Sequence, residues 1–150
     1  MDSIEFVTRV THELETRPSA ARLLWIDLPE LLAVERPTIV KEVARLWRPL
    51  GVKLCLEHAG QRIGRILQLD SLGLDCIRVD GSFIRGLTGP DSVNGRRHLK
   101  SILHLASVAG LTVTAEAVST ASDLTMVWAL GFDAATGPAV QQRAQSMSLQ

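Results

Sequence analysis

Cys76-Ile77-Arg78-Val79-Asp80-Gly81-Ser82-Phe83 is the stretch on which the fold turns. A short apolar run presents a charged pair, Arg78 and Asp80, and then turns at Gly81. A buried strand has this form when it delivers polar groups to the end of a sheet. Four further runs repeat the plan: Leu23–Leu28 with Asp27, Val52–His58 with Glu57 and His58, Thr112–Val118 with Glu116, and Phe132–Thr136 with Thr136. In parallel α/β folds the C-terminal rim of the strands is where ligands bind and chemistry is done.

Helical patterns separate the strand-like runs. Ile4, Val7, Val10 (or Thr11) and Leu14 fall at three- and four-residue steps, and Arg17-Pro18-Ser19 breaks that leading helix. The run Leu23-Leu24-Trp25-Ile26 is nearly continuous in apolar residues, the pattern of a strand covered on both faces. After Arg36-Pro37, the stripe Ile39, Val43, Leu46 and Trp47 marks a helix that Gly51 stops. Ile66, Leu67, Leu69 and Leu72 form a short apolar segment. Asp91 or Ser92 is placed to cap the longest helix, whose face is Leu99, Ile102, Leu103, Leu105, Ala106 and Ala109. Thr120-Ala121-Ser122-Asp123 resembles a capping box for a helix carrying Leu124, Val127, Trp128 and Leu130, ended by Gly131. Residues 141–150 are polar and are expected to fray.

About five parallel strands alternating with helices, at roughly 25-residue spacing, predict an α/β parallel sheet with right-handed crossovers. A closed eight-stranded barrel typically needs about 250 residues. At 150 residues the chain fits a partial (βα) TIM-type barrel rather than a whole one.

Composition narrows the function class. Sixteen basic and sixteen acidic residues give zero formal charge, which provides no global field for a nucleic acid polymer or an anionic membrane. No apolar run approaches the roughly 18 residues a membrane span requires, so direct membrane insertion is not expected. The N-terminal Met-Asp-Ser-Ile-Glu-Phe is acidic where a signal peptide is basic. Cys55 and Cys76 lie inside apolar runs, where a free cysteine acts as a small hydrophobe, and their spacing suggests neither a metal site nor a disulfide framework. These features predict a cytoplasmic protein, or the cytoplasmic piece of a larger one.

The rim residues carry a resemblance. Leu24-Trp25-Ile26-Asp27-Leu28-Pro29-Glu30, Gly51-Val52-Lys53-Leu54-Cys55-Leu56-Glu57-His58-Ala59-Gly60, Ile77-Arg78-Val79-Asp80-Gly81-Ser82-Phe83, Gly110-Leu111-Thr112-Val113-Thr114-Ala115-Glu116-Ala117-Val118 and Gly131-Phe132-Asp133 resemble, in order, the last five strands of an EAL domain. That bacterial family comprises cyclic-di-GMP phosphodiesterases and receptors. The resemblance implies a modified eight-stranded barrel whose strand-end carboxylates hold Mg²⁺ or Mn²⁺, hard cations suited to oxygen ligands and to two-metal hydrolysis.

The same resemblance implies a degenerate site. Asp27 stands at the place of a metal-binding glutamate. The paired aspartates become Glu57 and His58, and an imidazole suits a hard cation poorly. Arg78 replaces a lysine by a planar fork that does not titrate. Asp80 and Glu116 are retained, while Thr136 replaces a glutamine. The Glu-Ala-Leu motif itself, and the asparagine of the following strand, would precede residue 1. The resemblance therefore implies a truncated, degenerate EAL-like domain over 1–140 with a tail over 141–150. Its catalytic remnants are Asp27, Glu57, His58, Arg78, Glu116 and Thr136. Arg78, Asp80 and Glu116 are the candidates for ligand contact, and Asp27, Glu57, Asp80 and Glu116 for a weak metal site. No cofactor is expected unless that site takes Mg²⁺ or Mn²⁺.

The implied role is that of an inactive regulatory or protein-interaction module in cyclic-di-GMP signalling. It would recruit a protein partner or self-associate through open sheet edges. A cyclic-di-GMP receptor and a fragment of an active phosphodiesterase are the alternatives. Simpler uses exist for the same residues: aspartates after strands serve in turns, and Arg96, Arg97, His98 and Lys100 read as a solvated helix face. Trp25, Trp47 and Trp128 read as core or interface residues.

Overall fold

A computed structural model describes residues 3–66 and 68–148. Leu67, counted above in an apolar segment, and Leu149 and Gln150 of the tail lie outside the described residues, as do Met1 and Asp2. The strands are β1 (Trp25–Pro29), β2 (Lys53–Ala59), β3 (Cys76–Val79), β4 (Thr112–Ala115) and β5 (Ala134–Ala135). They form one parallel sheet in the order β1-β2-β3-β4-β5. The helices are α1 (Ser3–Thr16), α2 (Pro18–Ala21), α3 (Glu30–Glu35), α4 (Pro37–Trp47), α5 (Val93–Val108), α6 (Ala121–Leu130) and α7 (Pro138–Ser148).

Sequential strand order has a direct consequence. Right-handed crossovers between strands that neighbour one another in sequence and in space place all their helices on one face of the sheet. That face carries Leu54, Leu56, Ile77, Val79, Val113 and Ala115, each buried. The same core holds Val40, Val43 and Trp47 of α4, Leu99, Ile102 and Ala106 of α5, and Leu124 and Val127 of α6. The register pairs Asp27 with Cys55, Cys55 with Cys76, and Arg78 with Thr114. Because side chains alternate along a strand, these residues share the opposite face.

Several expectations change on contact with the structure. Leu23 lies in the turn that closes α2, its N–H bonded to Ala20 O, and Leu24 sits just ahead of the strand, its N–H bonded to Ala21 O and its carbonyl accepting from Lys53 N–H of β2. The strand that follows is an edge and is not covered on both faces: Trp25 is 55% exposed, and Asp27 and Pro29 are exposed as well. Of the three tryptophans, Trp47 is buried and its Nε1–H donates to Thr11 Oγ1 at 2.8 Å, whereas Trp25 and Trp128 face solvent. Strands β4 and β5 are shorter than their apolar patterns, yet ladder-like bonds continue past them: Glu116 N–H donates to Val79 O and Thr136 N–H to Ala115 O. The polar tail, expected to fray, is helical through Ser148 as α7.

The cysteine reading is also corrected. Cys55 and Cys76 are joined as a disulfide, with Cα atoms 4.5 Å apart. Their separation of 21 residues is one strand–helix repeat, so the parallel register sets them side by side. Sequence spacing alone does not reveal that register. The cysteine argument for a reducing compartment therefore lapses.

Candidate functional site

Two small clusters form at the C-terminal ends of the strands. In the first, Arg78 of β3 lies between carboxylates from either side of the sheet. Its Nε is 2.9 Å from Asp27 Oδ1 of β1, and its Nη1 is 3.9 Å from Glu116 Oε1, just beyond β4. The Nε atom is buried, and its N–H is not aimed at Asp27, so the short contact is an ion pair without a hydrogen bond. Burial raises the pKa of Glu116 above the ordinary value. The positive charges of His58 and Arg78 oppose that rise, and the negative charges of Asp27 and Asp80 add to it. All five side chains therefore share one electrostatic neighbourhood.

The second cluster is built on a backbone irregularity. The β2–β3 ladder shifts register between Leu56 and Ala59, and His58 adopts φ +49°, a left-handed conformation uncommon outside glycine. The kink turns the imidazole towards the next strand, where Nδ1 meets Asp80 Oδ1 at 2.9 Å while Glu57 Oε2 lies 3.9 Å from Nε2. Asp80 also accepts from Ser82 N–H at 3.0 Å and from the Ser82 hydroxyl. The Ser82 hydroxyl, the Ser82 N–H and His58, in that order, hold the Asp80 carboxyl down at about 2. Asp80 thus serves both as a turn residue and as the partner of His58.

The hydrogen bond from His58 to Asp80 raises the imidazole pKa above its usual 6.5. The stabilisation from this pair is fully present below the unfolded histidine value and is lost as pH rises through the folded one. A histidine-resolved NMR titration is expected to place the His58 midpoint above 6.5, and Asp80→Asn is expected to bring it down. An unchanged midpoint in the variant would assign the shift to another group.

Loops behind the rim hold these side chains in place. The buried carboxylate of Glu30, at the start of α3, accepts from Gly60 N–H at 3.1 Å and Arg62 N–H at 2.8 Å. From the other side, His98 Nε2–H of α5 donates to Gly60 O at 2.5 Å, and its ring lies against Phe83 with centroids 5.4 Å apart. Gly60 has φ +140°, and a Cβ there would sit 2.7 Å from the Phe83 ring. The segment just after His58 is thereby gripped on three sides.

The α5 basic cluster is accordingly only partly a solvated face. His98 binds the loop, and Arg96 Nη1–H donates to Leu87 O at 2.8 Å. Thr120 caps α6 as expected, accepting from Asp123 N–H at 3.1 Å, but Asp123 does not close a reciprocal box. Its buried carboxylate instead accepts from Gly86 N–H and Leu87 N–H. Ser92 precedes α5 without making a side-chain cap; its hydroxyl donates to Gly89 O.

The structure thus brings Asp27, Glu57, His58, Arg78, Asp80 and Glu116 to one rim. Thr136 is different: it is exposed, and its backbone links Ala115 and Val118. Among the described residues its side chain makes no hydrogen bond, and no three metal-ligating side chains converge. Sequence reasoning missed Glu30, Ser82 and His98. Ser82 had a signal in Asp80-Gly81-Ser82, a pattern for a turn in which the aspartate accepts from the residue two positions on.

A parallel sheet with charged groups gathered at its C-terminal rim defines a (βα) barrel-like class. The family profile of the EAL domain matches residues 1–143, and the chain belongs to the EAL domain family. A protein of Azorhizobium caulinodans is 23% identical over 133 residues, 89% of this chain and 18% of that protein. Among solved structures, the Vibrio cholerae LapD S helix-GGDEF-EAL protein bound to c-di-GMP superposes with a TM-score of 0.83 at 21% identity, covering 92% of this chain and 33% of that one. The Pseudomonas aeruginosa FimX EAL domain bound to c-di-GMP gives 0.75 at 22% identity, with coverage of 93% and 56%. The EAL domain of Mycobacterium smegmatis DcpA gives 0.72 at 21% identity, with coverage of 91% and 60%. The chain therefore spans less than two thirds of each of these relatives. The shared fold is a (βα) barrel-like one, seen here as five parallel strands in one open sheet.

Proposed function

We propose that this chain is a catalytically inactive EAL-like module that works in cyclic-di-GMP signalling through protein contacts rather than by hydrolysing the nucleotide. The observation that carries the reading is the position of Arg78, whose guanidinium stands between Asp27 and Glu116. The family's chemistry calls for a divalent cation among strand-end carboxylates. The residues present do not fit one, because a fixed positive charge already takes up these two carboxylates and a third, Asp80, is engaged by Ser82 and His58. Glu57 is left beside an imidazole that suits a hard cation poorly.

Charge supports the same reading. Asp27, Glu57, Asp80 and Glu116 surround Arg78 and His58, so the rim is net negative, whereas cyclic di-GMP carries two phosphodiester charges of the same sign. A receptor reading has its own support, since LapD and FimX are described bound to c-di-GMP. Titration calorimetry with cyclic di-GMP, with and without Mg²⁺, separates the two. A silent module gives no saturable heat at micromolar nucleotide in either buffer. Micromolar binding without turnover would establish a receptor instead.

The interaction half of the reading rests on β1. Among the described residues it is the outer strand of the sheet, bonded to β2 on one side alone, with Leu23, Leu24 and Trp25 exposed. Burial of apolar surface stabilises by roughly 25 cal/mol per Å², which favours covering this edge. Light scattering coupled to size exclusion is expected to show a mass above the monomer that falls on dilution. Trp25→Lys is expected to shift it to monomer. A sharp monomer at every concentration would leave the edge without a partner of its own kind.

A further inference from the structure

We propose that the Cys55–Cys76 bond is a redox-responsive fastener: a dithiol reductant opens it to two thiols in the folded chain, and the β2–β3 pairing above it loosens while the rest of the sheet stays formed. The inference is independent of whether the rim turns over cyclic di-GMP. It gives a use to two buried sulfurs that the reading of the rim leaves aside.

The backbone suits both states. Neighbouring strands lie roughly 4.7–4.9 Å apart, and disulfides join Cα atoms about 4.4–6.8 Å apart. At 4.5 Å, the separation of the Cys55 and Cys76 Cα atoms lies close to the first spacing and inside the second. Parallel pairing therefore presents the sulfurs to one another whether or not they are bonded, and no strand has to travel for the bond to open or close. Below it, Asp75 N–H donates to Leu54 O at 2.8 Å and Leu54 N–H to Asp75 Oδ2 at 2.9 Å. Reduction leaves these bonds in place.

Above the disulfide the pairing is sparser. Leu56 pairs with Ile77, the register then shifts, and pairing resumes at Ala59 and Val79, where Asp80 N–H donates to Ala59 O at 3.0 Å. The covalent link stands one pair before this irregularity. It limits how far the segment carrying Glu57 and His58 can part from the one carrying Arg78 and Asp80.

Both cysteines are buried, yet they face away from the crossover helices. Trp25, Lys53 and Thr112 lie on the same face of the sheet and are exposed. A small dithiol approaching from that side meets side chains of the sheet rather than a helix. Its thiolate attacks one sulfur and displaces the other cysteine as a thiolate; the second thiol of the reductant then closes its own disulfide and releases the first cysteine. Two electrons pass to the pair, two protons complete the thiols, and the dithiol leaves oxidised.

Dithiothreitol serves as the probe on the folded, full chain, with maleimide labelling after unfolding and intact mass to count free thiols. The chain isolated in air is expected to carry none, and two after dithiothreitol; oxidised glutathione is expected to return the count to none. A link between residues 21 apart constrains the unfolded chain, so reduction is expected to lower the melting temperature by about 10 °C. Hydrogen exchange locates the change. Asp80 N–H, above the bond, is expected to gain more in rate than Thr136 N–H, which donates to Ala115 O across β4 and β5. Cys55→Ala combined with Cys76→Ala is expected to lose every response to dithiothreitol; if that variant does not fold, the wild-type comparison decides. A bond that yields to dithiothreitol only after unfolding overturns the inference, as does a reduced chain with unchanged melting or with equal gains at Asp80 and Thr136.

Discussion

Gly137→Ala is expected to lower the melting temperature by about 10 °C, from a cost of roughly 2–5 kcal/mol. Gly137 joins β5 to α7 at φ +129°, where an L side chain is strained. A Cβ there would stand 2.4 Å from Val118 N and 2.5 Å from Val118 O, both rigid backbone atoms. Relief requires the ends of β4 and β5 to part. That would stretch the bonds from Val118 N–H to Thr136 O at 2.9 Å and from Ala139 N–H to Val118 O at 3.0 Å. Gly64→Ala is the control, since nothing lies within 4 Å of a Cβ built there. It is expected to change stability by no more than about 0.5 kcal/mol. Equal melting curves for the two variants would show that the β4–β5 end yields without cost.

Glu30→Ala is expected to cost roughly 2–4 kcal/mol, because two backbone donors lose a carboxylate acceptor and one of them, Gly60 N–H, is buried. The loss reaches the rim. Gly60 follows His58 by two residues, and once its N–H is released this end of the loop keeps the bond from His98 to Gly60 O and the ladder bond from Asp80 N–H to Ala59 O. Thermal melting reads the stability, and the NMR titration of His58 reads the geometry, with the midpoint expected to return towards the ordinary histidine value. Glu30→Gln keeps an acceptor oxygen and is expected to retain most of both. A Glu30→Ala chain with wild-type melting and an unmoved His58 midpoint would mean that the loop is positioned without this carboxylate.

These two positions show what the sequence could and could not convey. The five strands were legible because each apolar run ends in polar groups and is followed by a helical stripe. Parallel β1 to β5 follow that order without exception. Ranges were less legible. Leu23 and Leu24 look like strand residues because they are apolar, but Leu23 belongs to the turn after α2, and Leu24 precedes the strand with only its carbonyl joined to β2. The tail looks too polar for a packed element, yet α7 is anchored by buried Ala139 and by the Ala139 N–H bond to Val118.

At the rim, the types and order of Asp27, Glu57, His58, Arg78, Asp80 and Glu116 could be read in advance, while their pairing could not. That Arg78 faces Asp27 and Glu116 while His58 faces Asp80 depends on register and on the left-handed turn at His58. No spacing rule encodes either. Glu30 was visible only as a polar residue after a strand; its burial depends on a loop that returns 30 residues later. The disulfide was hidden for the same reason, since Cys55 and Cys76 become neighbours only through the β2–β3 register.

The central claim is that a rim with Arg78 between its carboxylates does not turn over cyclic di-GMP. Incubation of the chain with cyclic di-GMP in excess Mg²⁺ or Mn²⁺, followed by chromatographic separation of the linear dinucleotide, addresses it directly. The account predicts no product above the protein-free control, for wild type and equally for the chain carrying Glu57→Asp, His58→Asp, Arg78→Lys and Thr136→Gln. Linear product that increases with the concentration of wild-type chain and disappears in Glu116→Ala would contradict it.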